Sequence, residues 1–479
     1  IAARMHRMHP GGIWIMILAI IRIALLPLLA GLSAPGIAQT ALADDLAPTD
    51  MLATASPAVT DSIPIDGPKP AAAAQPHAAA ASNDRDTLTG DWGGLRPRLA
   101  ADGIAFRADY VSEAFTVASG GLRKGTAYTQ QIRASVDLDM DRIAGWRGGT
   151  FHLTINDRRG HGISSDFVGN RLPIQEAYGG QFTKLSELSY EQDFGHGAVN
   201  MRIGYFAMGN DLGGISAGCN FVNAAFCAHP LSMSGDSSWY NYPNARWGAA
   251  FRIRARDNLF VRTGIYQVNP ALGLEKNAFR PFAGHTSGVI LPIEIEYTPG
   301  QRPGDHALPG SYKLGFYYDT ADAARTSRTG TGTVSGRMGY YFLMSQTILR
   351  EGTGKRGLAV IGAYTINPRV AAQITRWYMA GLIQTGTFTG RDSDTIGLGL
   401  VHAVLNPRLR EAYAEINNPM SGMDALPQGE TAIELSYGLQ LTPWLILRPD
   451  VQYIVEPGAF SYAARKDAVA VGGQVKMQF

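Results

Sequence analysis

From about residue 103 onward, apolar and polar residues alternate with a period of two. Ile132, Ala134, Val136, Leu138 and Met140 alternate with Gln131, Arg133, Ser135, Asp137 and Asp139. Phe151, Leu153 and Ile155 face away from His152, Thr154 and Asn156. Phe251 and Ile253 alternate with Arg252, Arg254 and Arg256, and Ile293 and Ile295 with Glu294 and Glu296. In the last segment Val469, Val471, Val475, Met477 and Phe479 share one face, while Ala470, Gln474, Lys476 and Gln478 share the other. Such strands have one greasy and one wetted face.

A soluble sandwich also has wetted strand faces, so the number of strands and their connections decide. Candidate strands fall near 104–117, 126–141, 148–156, 183–194, 197–207, 245–256, 259–268, 287–298, 310–320, 333–347, 355–367, 370–382, 392–402, 429–441, 444–455 and 467–478. Tight turns at Phe194–Gly197, Arg256–Asn258 and Thr442–Trp444 alternate with long insertions at about 157–182, 208–244, 269–286 and 403–428. The pattern predicts an all-β chain: a transmembrane antiparallel β-barrel of about 16 strands, with short periplasmic turns and long external loops. Two connections break the rhythm, 299–309 by being long for its side and 367–369 by being short.

Composition adds exclusions. Charged residues make up 17% of the chain, below the usual quarter. The mean hydropathy of −0.06 is too low for a bundle of membrane helices. A net charge of +2 gives no basic excess for nucleic-acid binding. No His/Cys cluster has zinc spacing, so no metal or cofactor is expected. Gly330–Gly336 lacks the strand–helix setting and the Gly-Lys-Ser/Thr ending of a phosphate loop. Ser189, His152 and Asp193 could in principle be arranged as the site of an outer-membrane hydrolase, but many barrels contain these residues by chance, and no enzyme is expected.

Residues 1–43 read as a signal peptide: Arg4 and Arg7, then apolar runs Ile13–Ile21 and Ile23–Leu32, then small residues at Gly36-Ile37-Ala38 and Ala41-Leu42-Ala43. A membrane anchor is the rival, but Arg22 and Pro27 interrupt the run, and a charge near mid-span is costly. Residues 44–86 are rich in Ala and Pro, cannot offset ordering entropy by burial, and read as a disordered leader. Residues 87–102 form a periplasmic lead-in segment and 103–479 the barrel. The even pair Cys219 and Cys227, in an exported chain, reads as a disulfide; two unpaired loop thiols are the alternative. Both lie in the longest loop, after the fifth strand, which reads either as a constriction loop folded into the lumen or as an ordinary external loop.

Leu88-Thr89-Gly90-Asp91-Trp92-Gly93-Gly94-Leu95-Arg96-Pro97-Arg98-Leu99 followed by Asp102-Gly103-Ile104 resembles the opening motif of the carbohydrate-selective porins of the OprB type. Leu441-Thr442-Pro443-Trp444 through Tyr453-Ile454, then Glu456-Pro457-Gly458, resembles that family's penultimate strand pair, and the strand ending at Phe479 fits as well. The resemblance implies a sixteen-stranded outer-membrane porin passing glucose and related sugars. The long Ala/Pro leader and the cysteine pair depart from it. A plugged structural or adhesive barrel is the alternative.

Sugars are neutral polyols, so a sugar channel calls for guanidinium donors and carboxylate acceptors at a narrow point. The inward faces supply Arg107, Asp109, Glu113, Arg133, Glu187, Arg202, Arg252, Arg254, Arg262, Glu294 and Arg448 as channel-lining candidates. Wall charges paired across strands for stability are the competing role for each. Trp92 reads as a periplasmic-mouth anchor, and Phe479 as the assembly signal for the barrel-insertion machinery. The expected partners are sugars, outer-membrane lipid and that machinery, with a homotrimer by general porin behaviour. N-terminal sequencing of the mature protein should find a start near residue 39 or 44, with Arg22 removed.

Overall fold

The computed structural model describes residues 86–227, 229–302, 305–326, 332–352, 354–417 and 426–479. The expected signal peptide and all of the leader but residue 86 lie outside the described residues. The strands are β1 (Ile104–Ser119), β2 (Thr126–Asp139), β3 (Gly149–Gly160), β4 (Phe182–Phe194), β5 (Val199–Phe206), β6 (Arg246–Arg256), β7 (Leu259–Val268) and β8 (Gly288–Tyr297). They continue as β9 (Gly310–Asp319), β10 (Arg337–Arg350), β11 (Gly357–Ile366), β12 (Ile374–Thr385), β13 (Thr395–Leu405), β14 (Gly429–Thr442), β15 (Leu445–Val455) and β16 (Ala468–Gln478). Each strand pairs antiparallel with its neighbours in sequence, and β1 pairs with β16, so the sheet closes as a barrel. Closure leaves no unpaired edge, which a sheet in hydrocarbon requires.

Most strand positions agree with the alternation, but β10, β12 and β13 begin three or four residues later than expected. Residue 333 belongs instead to a two-residue strand pair outside the barrel, Ala323–Ala324 with Thr333–Val334. The backbone before β12 turns first, with Ala371 and Ala372 N–H donating to the Pro368 carbonyl. In β12 and β13 both faces are apolar, so no alternation marks where the strand starts.

The outer face is apolar and uncovered. Ile132, Leu153, Ile203, Ile293, Leu314, Phe342, Leu398, Leu435 and Val451 are all exposed there. Aromatic pairs edge this band at both ends. Trp146–Tyr190 (5.0 Å) and Tyr297–Tyr312 (6.4 Å) stand at the short-turn end. Phe316–Tyr340 (5.1 Å) and Tyr364–Tyr378 (5.2 Å) stand at the long-loop end. An apolar belt with aromatic girdles is the outer surface of a membrane barrel.

The lead-in segment secures the seam where the barrel closes. Its short helix, Leu95–Ala101, positions Arg96, whose Nη2 donates to the carbonyls of Phe479 (2.8 Å) and Phe106 (3.1 Å). The Leu88 N–H donates to the Gln478 carbonyl at 2.8 Å, and Phe479 N–H to the Ala108 carbonyl at 2.9 Å. Residues before β1 and after β16 are thereby bound into one network.

The register predicts opposite outcomes for neighbouring faces. Replacing Ile293, mid-strand and 44% exposed on the outer face, with Arg should destabilise the barrel by roughly 2–4 kcal/mol. Replacing the inward Arg252 with Ala should leave the folded yield unchanged. The heat-modifiable fraction on semi-native gels reads both.

Candidate functional site in the lumen

Sixteen strands enclose a wide lumen, and two loops fold into it. The larger is residues 207–245, which includes the short helix Leu231–Asp236 and the Cys219–Cys227 disulfide, with an S–S distance of 2.03 Å. The smaller is residues 161–181. They hold each other through Glu176 N–H on the Val222 carbonyl (3.1 Å) and Ala224 N–H on the Pro173 carbonyl (3.0 Å).

The larger loop lies against a wall that is apolar on its inner side. Ile361, Trp377, Met379, Ile383, Val401 and Ala403 of β11–β13 form one buried cluster with Phe221, Val222, Phe226, Met233 and Trp239 of the loop. Phe221 and Phe226 stack at 4.4 Å. Glycine lets them approach: a β-carbon added at Gly399 would lie 2.5 Å from the Phe226 ring, and one at Gly397 2.9 Å from Phe221. Each buried large side chain contributes about 1.5–3 kcal/mol.

Carboxylates on the wall hold the loop backbones. Glu434 accepts the N–H groups of Val222 and of Asn223 (2.9 Å). Glu430 accepts Arg171 N–H (2.8 Å) and Leu172 N–H (2.7 Å). Glu294 accepts Gly213 N–H (2.9 Å), Asp319 accepts Ser238 N–H (2.8 Å), and Glu113 accepts Ala177 N–H (3.1 Å). Buried N–H groups outside a ladder need such acceptors.

The opposite wall, β1–β9, is charged. A row of contacts runs from Arg107 to Asp137, to His152 (2.8 Å), to Glu191 (3.5 Å), to Arg202 (2.6 Å) and on to Asp211 of the loop (3.3 Å). Burial holds the Asp211 carboxyl above the usual carboxylate range, with Arg202 opposing the shift. Arg133 pairs with Asp109 and lies near the Tyr242 ring, 5.7 Å from its centroid. Arg262 pairs with Glu296, and Lys313 lies 3.8 Å from the same carboxylate. Below the loop, toward the short turns, a vestibule of about 1310 Å³ reaches from Arg252 and Arg262 to Arg391, Asp394 and Arg448.

The eleven expected lining residues all lie on the inner face. Arg107, Asp109, Arg133, Glu187, Arg202, Arg252 and Arg262 belong to the charged wall. Arg254 bends to the short-turn end, where its Nη2 donates to the His196 carbonyl at 3.0 Å. Glu113 and Glu294 are corrections: only 1% and 0% exposed, they anchor loops and have no open face for a solute. Arg448, 4% exposed, donates to the Cys219 carbonyl (3.2 Å) and to Gln474 (2.9 Å) and touches the vestibule by its edge. Asp137, His152, Glu191, Asp211 and Tyr242 were missed. The first three stand on the polar faces of the alternating strands; the loop residues Asp211 and Tyr242 gave no periodic signal.

A closed barrel with an apolar belt, aromatic girdles and a lumen narrowed by infolded loops is the architecture of a porin. The model of the carbohydrate-selective porin, OprB family, matches residues 123–479. Porin B of Pseudomonas aeruginosa is 31% identical over 411 residues, 80% of this chain and 89% of that protein. The putative porin QuiX of Acinetobacter baylyi is 29% identical over 426 residues, 83% of this chain and 94% of that protein. The high-pH structure of Pseudomonas putida OprB superposes with a TM-score of 0.76 at 29% identity, covering 84% of this chain and all of that one. The chain belongs to the carbohydrate-selective porin, OprB family. It is a channel protein of an outer-membrane class.

One loop anchor responds to pH. Asp236, buried, accepts N–H groups from Gln373 (2.5 Å) and Ile374 (3.0 Å), and from Asn367 Nδ2 (3.3 Å). Burial pushes its pKa up to about 7, although those hydrogen bonds and Arg171 favour the charge. The unfolded group would release its proton near pH ~4. The docked loop therefore keeps a proton that the free loop loses, and docking weakens as pH rises from about 4 to about 7. Amide protection over residues 231–236, corrected for intrinsic rates, should fall between those limits, and Asp236→Asn should flatten the profile.

Proposed function

We propose that this barrel lets glucose and related sugars diffuse across the bacterial outer membrane into the periplasm. The uneven lumen carries the reading: the large loop covers the apolar wall and leaves a charged wall facing the vestibule. On that wall most cations sit beside carboxylates, as Arg133 does with Asp109 and Arg202 with Glu191. Such pairs present donors and acceptors with little net charge, which suits neutral polyols better than ions. Arg107, Asp109, Arg133, Glu187, Arg202, Arg252 and Arg262 are the solute-contact set in this reading.

The signal peptide directs export, and the strand ending at Phe479 is read by the barrel-insertion machinery. Outer-membrane lipid then covers the apolar belt, and the assembled form is a homotrimer.

Purified protein in planar bilayers should show open steps that glucose blocks, and proteoliposomes should swell in glucose. Reducing the Cys219–Cys227 bond should leave the barrel folded while altering conductance. Silence in both assays would favour a plugged structural or adhesive barrel.

A further inference from the structure

Among the arginines of the charged wall, Arg252 stands apart. Arg107, Arg133, Arg202 and Arg262 each hold a carboxylate, and Arg254 holds a backbone carbonyl. The Arg252 guanidinium makes no hydrogen bond or ion pair with any other described residue. Its guanidinium rests near the Phe260 ring, 5.8 Å from the centroid, and that contact steadies the fork without using its donors.

Arg252 stands where two spaces meet. It lines the vestibule, and it lines an alcove of about 140 Å³ between the β4–β7 wall and Asp211–Leu212 of the infolded loop. An enclosed apolar cavity of roughly 150 Å³ takes a six-membered carbon ring. This alcove is open and polar. It offers acceptors in Glu191 and Asp211 and an amide in Asn200. Glu191 already accepts Arg202 Nε (3.1 Å), Arg202 Nη2 (2.6 Å) and Asn200 (2.7 Å), whereas the Asp211 carboxylate meets Arg202 Nη1 alone (3.3 Å) and is the freer acceptor. Among the three guanidinium groups that line the alcove, only that of Arg252 has no hydrogen bond or ion pair with the described residues, and it presents a planar fork whose spacing matches neighbouring hydroxyls.

We propose that the alcove is a resting site for a single sugar ring on the vestibule side of the infolded loop, with Arg252 donating to two adjacent hydroxyls. The proposal rests on the carbohydrate-channel reading and adds to it a place where the solute pauses before it leaves. The ring sits between the Arg252 guanidinium and the loop, and a hydroxyl donates to Asp211. Three guanidinium groups and two carboxylates line the alcove, so donors and acceptors stand together there with nearly balanced charge, which suits a neutral polyol.

The test compares glucose block of single-channel current in the wild type, R252Q and R252K, with glucose-driven swelling of proteoliposomes measured alongside. Losing a charge-assisted pair of hydrogen bonds should raise the half-blocking glucose concentration about tenfold in R252Q. R252K keeps the charge but not the fork; it should restore the ion preference of the wild type and leave the block weak. A block in R252Q equal to that of the wild type, with swelling intact, would overturn the alcove site and leave the channel reading standing. Full recovery of block by R252K would also overturn it, since charge alone would then be the cause. A wild type with neither block nor swelling would overturn both.

Discussion

A backbone amide that enters the lumen of a barrel has left both bulk water and the strand ladder, and the wall must accept its hydrogen bond. In this protein the acceptors are carboxylates projecting inward from the strands. Glu434 receives two successive amides of the large loop, and Glu430 two of the smaller one. A carboxylate with two oxygens can hold two consecutive N–H groups at once, which fixes the local path of the loop as well as its depth. Leaving such buried donors unpaired costs about 1–3 kcal/mol each. The loops are therefore pinned at several separate points around the wall, from Glu113 on β1 to Glu434 on β14.

Pinning sets where the loop is held, and the apolar wall sets which side it takes. The inner faces of β11–β13 carry Ile, Val, Trp, Met and Ala where other strands carry charge. Left wet, that wall would be a hydrophobic surface facing a polar channel. The phenylalanines of the disulfide-bearing segment cover it, and the glycines of β12 and β13 let them lie close. The consequence is functional. Covering one wall leaves the other open, and the pairs formed by Arg107, Arg133, Arg202 and Arg262 stand on that open wall.

Much of the barrel was legible in the sequence because a period of two is a local signal. Ile132 against Arg133 and Ile253 against Arg252 already separate the membrane face from the lumen face. The signal fails where both faces are apolar. Leu358–Ile361 in β11 and Ile396–Val401 in β13 read as continuous greasy runs, so strand limits drifted and the run was not connected to a covering loop. The site was legible only in part. Glu294 and Arg252 stand on equally polar faces, but one is sealed under the loop and the other opens to the vestibule. Burial of that kind is decided by residues 213 and 211–212, far away along the chain. The alternation put Glu113 and Glu294 on the inner face, but nothing local marked any of these carboxylates as an anchor for a loop backbone.

Wall carboxylates hold the infolded loop, Glu434 at the amides of Val222 and Asn223. Hydrogen exchange at Val222 and Asn223, compared between the wild type and Glu434→Ala, tests this attachment most directly. Both amides should be protected in the wild type and exchange about tenfold faster or more in the variant, with the β14 and β15 ladder still protected. Unchanged protection at both amides, in a variant that folds normally, would contradict it.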